Sequence, residues 1–210
     1  LQIKSIEISG AETLSSSAVE AMVQEQLAGS YAFVFPKRNI FLYPKKRITE
    51  LLLSSKPVLA TAEVHAVDFH TLGVVLVERH PRALWCQGSY CHFMDENGVL
   101  YADAPQFSAP IYTRYEGVLE SIVLPQQFLT PTSFQALSAL VDAIVRKVPE
   151  ESLERVSVDS NNDVDMQFES GFVLKFALAE KEGDVYERFT LALGAEPFAA
   201  HELKDFLYLD

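Results

Sequence analysis

The apolar residues of the first eighty positions follow a strand period, then a helical period, then a strand period again, and this order constrains the fold most strongly. Alternating residues that end at Gly10 predict a β-strand. Serine caps and the prolines Pro44 and Pro57 delimit two amphipathic helices. The order β-α-α-β-β predicts a layer in which both helices cover one face of a sheet. The predicted elements lie at residues 2–9, 15–28, 44–56, 62–69 and 72–79.

From Pro81 onward the pattern is mainly that of β-strands. The dipeptide Asn97-Gly98 is a strong reversal signal, and one amphipathic helix is predicted between Thr132 and Pro149. Residues 104–131 show little periodicity, which predicts a long connection with short strands. We expect a mainly antiparallel β domain with one or two packed helices, so the fold class predicted for the chain is α+β. Its other predicted elements are strands at 83–86, 91–94, 156–158, 164–168, 172–178 and 186–193, a short helix at 197–205 and a terminal strand at 206–210.

The charge balance argues against polyanionic partners. The chain has 17 Lys and Arg against 29 Asp and Glu, a net charge of −12. Its cationic residues are gathered along the sequence only in the short run Lys45, Lys46 and Arg47, whereas neutralising phosphates requires many of them. We therefore expect no binding to nucleic acid and no attraction to an anionic lipid surface, and we interpret the acidity as favouring solubility.

The two cysteines, Cys86 and Cys91, are separated by four residues. If the flanking segments pair as antiparallel strands, the cysteines lie opposite each other at a separation that a disulfide can close. A disulfide would indicate an oxidising compartment, and a pair of reduced, half-buried thiols is the alternative. A zinc site that recruits His80 or His92 is disfavoured because this spacing lacks a second ligand pair.

Motifs that would indicate an enzyme are missing from the sequence. The five histidines show no metal-ligand spacing, and there is no nucleophile elbow, Walker loop or dinucleotide-binding fingerprint. Acid pairs such as Asp163 and Asp165 lie in turn segments, where carboxylates are usually solvated. The sequence therefore predicts no catalytic residue, no metal ligand and no cofactor. We expect Trp85, the only tryptophan, to pack in the core, with anchoring of a partner as the alternative.

The segment Val77–Trp85 reads V-E-R-H-P-R-A-L-W and resembles a motif of the FtsQ/DivIB family of bacterial cell-division proteins. In that family a v-E-R-x-P-x-A-x-W junction joins a POTRA domain to a β domain, and Glu78, Arg79 and Pro81 match it. Shorter motifs between residues 6 and 64 are also similar to those of the family's POTRA domain, and they occur in the same order.

Two further segments resemble the β domain of that family. Asp95 and Gly98 match its l-v-D-x-x-G-v-f hairpin, and Tyr208-Leu209-Asp210 is similar to the start of its late y-I-D-l-R strand. The cysteine pair is not a general feature of the family, so the resemblance implies no function for it. The strand that follows in the family is not part of this sequence, and we expect the β domain to be truncated there.

The resemblance implies a POTRA domain over residues 1–80 and an FtsQ/DivIB-like β domain over 81–210. It implies a non-enzymatic scaffold of the divisome that binds FtsB- and FtsL-like proteins through the β domain and other division proteins through the POTRA domain. The implied location is the extracytoplasmic face of the bacterial cytoplasmic membrane, which the protein would contact only through a helix upstream of residue 1. An open terminal strand can accept a partner strand. The residues expected at this edge are Phe206, Leu207, Tyr208 and Leu209, with Phe206 and Tyr208 on one face.

Two other functions remain open at the level of sequence. POTRA modules also occur in outer-membrane assembly and secretion components that capture extended polypeptides, although this chain shows one such module and no repeat. A secreted hydrolase with a diffuse acidic site is the other alternative. It would require convergent carboxylates in a deep pocket, with a raised pKa on one of them, and no motif demands such a pocket.

Overall fold

The computed structural model describes residues 1–32, 35–196 and 203–209. The chain divides into two compact units, Leu1–Arg79 and His80–Asp210. Each unit combines helices with a β-sheet, so the predicted α+β class is confirmed. The elements of the N-terminal unit are β1 (Ser5–Ser9), α1 (Ser16–Gln26), β2 (Ser30–Tyr31), β3 (Phe35–Pro36), α2 (Lys45–Ser55), β4 (Leu59–Ala66) and β5 (Thr71–Glu78).

The sheet of the N-terminal unit has the order β1-β5-β4, with β1 parallel and β4 antiparallel to the central β5. This is the predicted β-α-α-β-β order, with a short ribbon of β2 and β3 inserted between the helices. Each predicted strand of this sheet overlaps an observed strand, with bounds that differ by up to three residues. The difference is clearest at β4, which begins at Leu59 and not at residue 62, because the apolar residues that follow α2 continue into the strand without a break.

Both helices of this unit cover one face of the sheet, because each presents buried residues at a spacing of four. Val19 and Val23 of α1 and Ile48 and Leu52 of α2 have no exposed surface. The alternation of β5 separates its two faces. On the helix-covered face β5 contributes Leu72, Val74 and Leu76 to the same apolar cluster, and on the open face it presents Val75 and Val77.

The C-terminal unit is built on one nine-stranded sheet within the described residues, in the order β10-β8-β7-β6-β9-β11-β12-β13-β14. Most neighbours are antiparallel; β9 is parallel to both of its neighbours, and β14 is parallel to β13. The elements are β6 (Ala83–Gln87), β7 (Tyr90–Met94), β8 (Val99–Asp103), β9 (Arg114–Gly117), β10 (Gln126–Gln127), α3 (Pro131–Lys147), β11 (Leu153–Val158), β12 (Asp163–Phe168), β13 (Val173–Ala177), α4 (Glu182–Leu193) and β14 (Tyr208–Leu209).

The helix α3 packs on one face of this sheet, and the core of the unit lies between the two. Its N-cap is Thr130, two residues before the predicted start at Thr132, and the Thr130 hydroxyl accepts a hydrogen bond from the amide of Ser133 at 3.2 Å. Its residue Phe134 is fully buried and meets the ring of Tyr115 in an edge-to-face contact with centroids 5.3 Å apart. Trp85 is also fully buried in this cluster, which is the core position expected for it.

The strand predicted at residues 186–193 is wrong, because this segment belongs to the helix α4. Its β-branched and aromatic residues suggested a strand, but Val185 and Phe189 are buried at a helical spacing of four and pack into the core. Glu182 and Asp184 lie in its first turn, where acidic groups favour a helix N-terminus. Tertiary packing therefore overrides the local strand propensity here.

The loop between β1 and α1 approaches β5 so closely that only glycine fits at one position. Gly10 has φ +75°, and a Cβ built there would lie 1.9 Å from the carbonyl oxygen of Leu76. Gly29 also has a positive φ, +80°, but a Cβ there would have no neighbour within 4 Å. Substituting each glycine in turn therefore separates the free-energy cost of a strained backbone conformation from that of a steric clash.

We expect Gly10→Ala to destabilise the N-terminal unit by about 3 kcal/mol or more, because it combines a strained φ with a clash against β5. Gly29→Ala should cost only about 1 kcal/mol. Urea unfolding followed through the NMR signals of β4 and β5 measures both. Equal losses for the two variants would show that the approach to Leu76 is not a constraint.

Candidate functional site

The Glu78 carboxylate is buried at the end of β5 and binds the loop that leads into α1. Glu78 is 4% exposed. Its oxygens accept hydrogen bonds from the amides of Glu12 at 2.8 Å, Thr13 at 3.0 Å and Leu14 at 3.0 Å, and also from the Thr13 hydroxyl. A carboxylate that accepts several amide hydrogen bonds ties two distant segments together. Glu78, the first of the three residues that match the family junction, therefore holds the end of β5 against the loop that leads into α1.

The surroundings of Glu78 stabilise its ionised form. Burial by itself would raise the pKa of this carboxyl, but hydrogen bonds from the Thr13 hydroxyl and from the amides of Leu14, Glu12 and Thr13 outweigh it and lower the pKa from 4.5 to about 2. The site therefore contributes to stability as an anion. This signature alone does not indicate a catalytic acid, which would need a raised pKa at neutral pH.

Arg79, the residue after Glu78, binds a different segment of the same unit. Its amide donates to the carbonyl of Val58 at 2.7 Å, and its Nε donates to the carbonyl of Pro57 at 3.3 Å. The side chain thus binds the turn between α2 and β4. Pro81, the third matched position of the junction, is exposed and belongs to the C-terminal unit.

Asp95 and Gly98 shape the turn between β7 and β8. Asp95 is 3% exposed, and its Oδ1 accepts hydrogen bonds from the amides of Asn97 at 2.8 Å and Val99 at 3.0 Å. Gly98 has φ +75°, and a Cβ there would come within 2.9 Å of the Phe134 side chain. The turn therefore requires an acceptor at the first position and a glycine at the fourth, since α3 packs directly onto it.

Cys86 and Cys91 form a disulfide across the β6–β7 hairpin. They occupy directly paired positions with Cα atoms 4.1 Å apart. The strands extend one residue further than predicted on each side, so the hairpin closes through the two residues Gly88 and Ser89. Arg114 of β9 donates to the Gly88 carbonyl at 2.7 Å and thereby holds this turn against the sheet.

The disulfide lies in the wall of a cleft of about 430 Å³ on the sheet face that carries Leu84 and Cys86. The opposite face carries Trp85 and the α3 core. Residues 104–113, whose form the sequence does not predict, fold over the face that carries Leu84 and Cys86. They form an aromatic cluster with β7 and β8, in which the ring centroids are 5.5–6.2 Å apart and whose members are Phe93, Tyr101, Phe107 and Tyr112.

The four expected partner-binding residues form two groups, one packed against the core and one exposed, and these are not the groups that the sequence predicted. Only Tyr208 and Leu209 lie in a strand, β14, which pairs in parallel with Val173 and Leu174 of β13. Phe206 and Leu209 pack against the core, whereas Leu207 and Tyr208 are 81% and 62% exposed.

The predicted sharing of one face by Phe206 and Tyr208 is therefore wrong. Phe206 follows a 3-10 turn at Leu203–Asp205 and has not yet entered the strand. Of the helix predicted at 197–205, residues 197–202 lie outside the described residues, and so does Asp210 of the terminal motif.

Within residues 1–32, 35–196 and 203–209, no group of three or more His, Cys, Asp or Glu side chains could hold a metal ion. Among the helices in these ranges, none combines the length and the apolar character needed to cross a bilayer.

His92 has Asp103 as its charged neighbour, with Nδ1 and Oδ1 3.0 Å apart. Sequence patterns predict neither the aromatic cluster nor the cleft, although residues 101–115 are rich in aromatic residues.

We expect the N-terminal unit to lose about 3 kcal/mol of stability as pH falls from about 4.5 toward about 2. The folded pKa of Glu78 lies below the unfolded value, so its contribution is complete above the unfolded pKa and disappears on acidification. Glu78→Gln should lose a similar amount at neutral pH and should unfold with a flatter pH dependence. Urea unfolding, followed by the NMR signals of β5, measures this. Glu63→Gln, at an exposed carboxylate on β4, is the control and should behave like the parent.

We expect the double variant Cys86→Ala, Cys91→Ala to fold but to lose about 2 kcal/mol in the C-terminal unit, because the disulfide closes only a short loop. Trp85 is buried beside Cys86, so its fluorescence reports urea unfolding of this unit. The parent with its thiols reduced should reach the same midpoint as the variant. An unchanged midpoint in both would show that the hairpin does not depend on the bond.

Comparison with known proteins identified no relative: no protein-family model matches the chain, and no curated protein matches it. The features of the described residues that bear on function are the strand β14 at the sheet edge, the disulfide hairpin and the two buried carboxylates Glu78 and Asp95.

Proposed function

We propose that this chain is a non-enzymatic scaffold of the bacterial divisome, of the FtsQ/DivIB type, which binds other division proteins through the edge of its larger sheet. The observation that carries the proposal is the position of β14. Among the described residues, β14 is the last strand of the sheet and pairs with β13 on one side only. Open strand edges present unpaired N–H and C=O groups that a partner strand can meet.

The backbone of β14 is oriented for strand addition. The amide of Val173 donates to the carbonyl of Leu207 at 3.1 Å. In a parallel ladder with Tyr208 opposite Val173, the N–H and C=O of Tyr208 point away from β13. The exposed side chains of Leu207 and Tyr208 lie beside this edge and would supply the apolar contacts of an added strand.

The opposite edge of the sheet is less suited to a partner strand. β10 has two residues and follows Pro125, which has no backbone N–H to donate. The Gln127 amide group donates to the carbonyls of Asn97 and Leu129, the former at 2.7 Å, and so is engaged within the chain. Partner binding is therefore assigned to β14.

Further features support the family and its setting. Glu78, Arg79, Asp95 and Gly98 each perform a structural task at the position where the family motif has the same residue type. FtsB- and FtsL-like proteins would bind the C-terminal unit, and other division proteins would bind the N-terminal, POTRA-like unit. The disulfide is compatible with the oxidising, extracytoplasmic location that the family implies.

We expect Tyr208→Pro to weaken binding of an extracytoplasmic FtsB–FtsL complex about tenfold or more, because proline removes the outward N–H and blocks a partner strand. Tyr208→Thr is the matched control: it keeps the N–H and loses only the apolar contact of the ring, so it should weaken binding less than Tyr208→Pro does. Isothermal titration measures both, and NMR shows whether β13 and β14 remain paired.

Binding by Tyr208→Pro as tight as that of the parent would refute strand addition at β14. The same result is expected if a following segment of a longer chain occupies this edge in place of a partner.

A further inference from the structure

The exposed apolar side chains of the N-terminal unit concentrate at one end of its sheet. Three segments meet there, since the amide of Ile3 donates to the carbonyl of Arg38 at 2.8 Å and that of Lys4 to the carbonyl of His70 at 2.7 Å. They are the first four residues, the connection from α1 to α2, and the β4–β5 turn. We call this surface the aromatic end; its exposed apolar side chains are Leu1, Tyr31, Phe35, Phe41, Leu42, Val67 and Phe69.

Phe41 and Phe69 form the centre of the aromatic end. They are 68% and 61% exposed, and their rings meet edge to face with centroids 6.5 Å apart. Phe41 comes from the loop before α2 and Phe69 from the β4–β5 turn, so folding brings the two rings together. Phe41 and Phe69 therefore form one exposed apolar patch, and exposed apolar patches mark interaction sites.

The segments that form the aromatic end are rich in cationic residues. The described segments 1–4, 27–32, 35–47 and 67–70 contain six Lys and Arg and one acidic residue, Asp68. The carboxylate of Asp68 accepts the amides of His70 at 2.6 Å and Thr71 at 2.7 Å, within its own turn. The net charge of this end is therefore positive in a chain whose total is −12. The six cations are Lys4, Lys37, Arg38, Lys45, Lys46 and Arg47.

Tight turns keep the longest cationic run close to Phe41. The amide of Leu42 donates to the carbonyl of Asn39 at 2.9 Å, and that of Lys45 to the carbonyl of Tyr43 at 2.8 Å. Lys45, Lys46 and Arg47 are exposed in the first turn of α2. On the same helix Glu50 lies 3.7 Å from the Lys46 ammonium and partly offsets its charge.

We propose that the aromatic end is a contact site for an anionic lipid surface. Phe41 and Phe69 would enter the interfacial layer of the bilayer, and the surrounding Lys and Arg would meet lipid phosphates. Aromatic rings are favoured at the level of the headgroups, and cationic side chains are attracted to anionic leaflets. This proposal departs from the sequence-based expectation, which rested on the total charge of −12 and on the single short cationic run. Folding gathers six cations from distant segments at one end of the N-terminal unit, and charge complementarity therefore selects an anionic surface as the occupant. The inference does not depend on the proposed role in cell division.

Sedimentation with vesicles tests the proposal on the 210-residue chain. The vesicles are phosphatidylcholine alone, or equal parts phosphatidylcholine and phosphatidylglycerol. We expect binding to the mixed vesicles only, and we expect added salt to weaken it because the attraction is screened. Phe41→Ser with Phe69→Ser should weaken binding about tenfold. Lys45→Gln with Lys46→Gln and Arg47→Gln should have an effect of similar size.

The matched control is Val75→Thr with Val77→Thr, which removes exposed apolar groups from the open sheet face of the same unit and should bind like the parent. Thermal melting verifies that each variant is folded, and the cation variant keeps the test valid should the Phe variant unfold. Equal binding to both vesicles, or unchanged binding by the Phe variant, would overturn the proposal. Failure of the parent to bind the mixed vesicles would also overturn it and would indicate a protein as the occupant of this end.

Discussion

The parallel pairing of β9 with β6 on one side and β11 on the other makes the C-terminal unit a single sheet. Without β9, the meander β6–β8 and the meander β11–β13 would be separate antiparallel sheets, each with two open edges. With it, Leu84 pairs with Arg114 and Tyr115 with Val156, and α3 covers a continuous face. The exposed edges of the described sheet are reduced to its outermost strands, β10 and β14, and this makes β14 the strand on which the proposed function rests.

The residues that carry the family resemblance have structural tasks. Glu78 and Asp95 are both buried carboxylates that accept amide hydrogen bonds from turns, one before α1 and one between β7 and β8. Burying an anion without such donors would be costly, so residue type and turn geometry depend on each other. Motif positions therefore mark turns on which the fold depends, and the proposed contacts lie elsewhere: a partner strand at the β14 edge and a lipid surface at the aromatic end.

Sequence patterns predicted elements well where burial follows a regular period along the chain. The bounds of α2 and α3 and the β6–β7 hairpin follow from apolar spacing and from turn residues. β9 could not be predicted in this way, because its four residues contain one fully buried side chain, Tyr115, and it is a strand only through its neighbours. The residue types of α4 predict a strand for a related reason: they favour a strand locally, whereas the buried pair Val185 and Phe189 fits a helix.

The sequence by itself determined the α+β class, the order of helices and strands in the N-terminal unit and the pairing position of the cysteines, because hydrophobic periodicity and turn chemistry are local properties of the chain. The tertiary structure alone decided the position of β9, the open side of β14 and the assembly of the aromatic end. Lys4, Arg38 and Phe69 are far apart in sequence and form one surface only after folding. Sheet order and surface charge are set by contacts between distant segments, and a local pattern carries no record of those contacts.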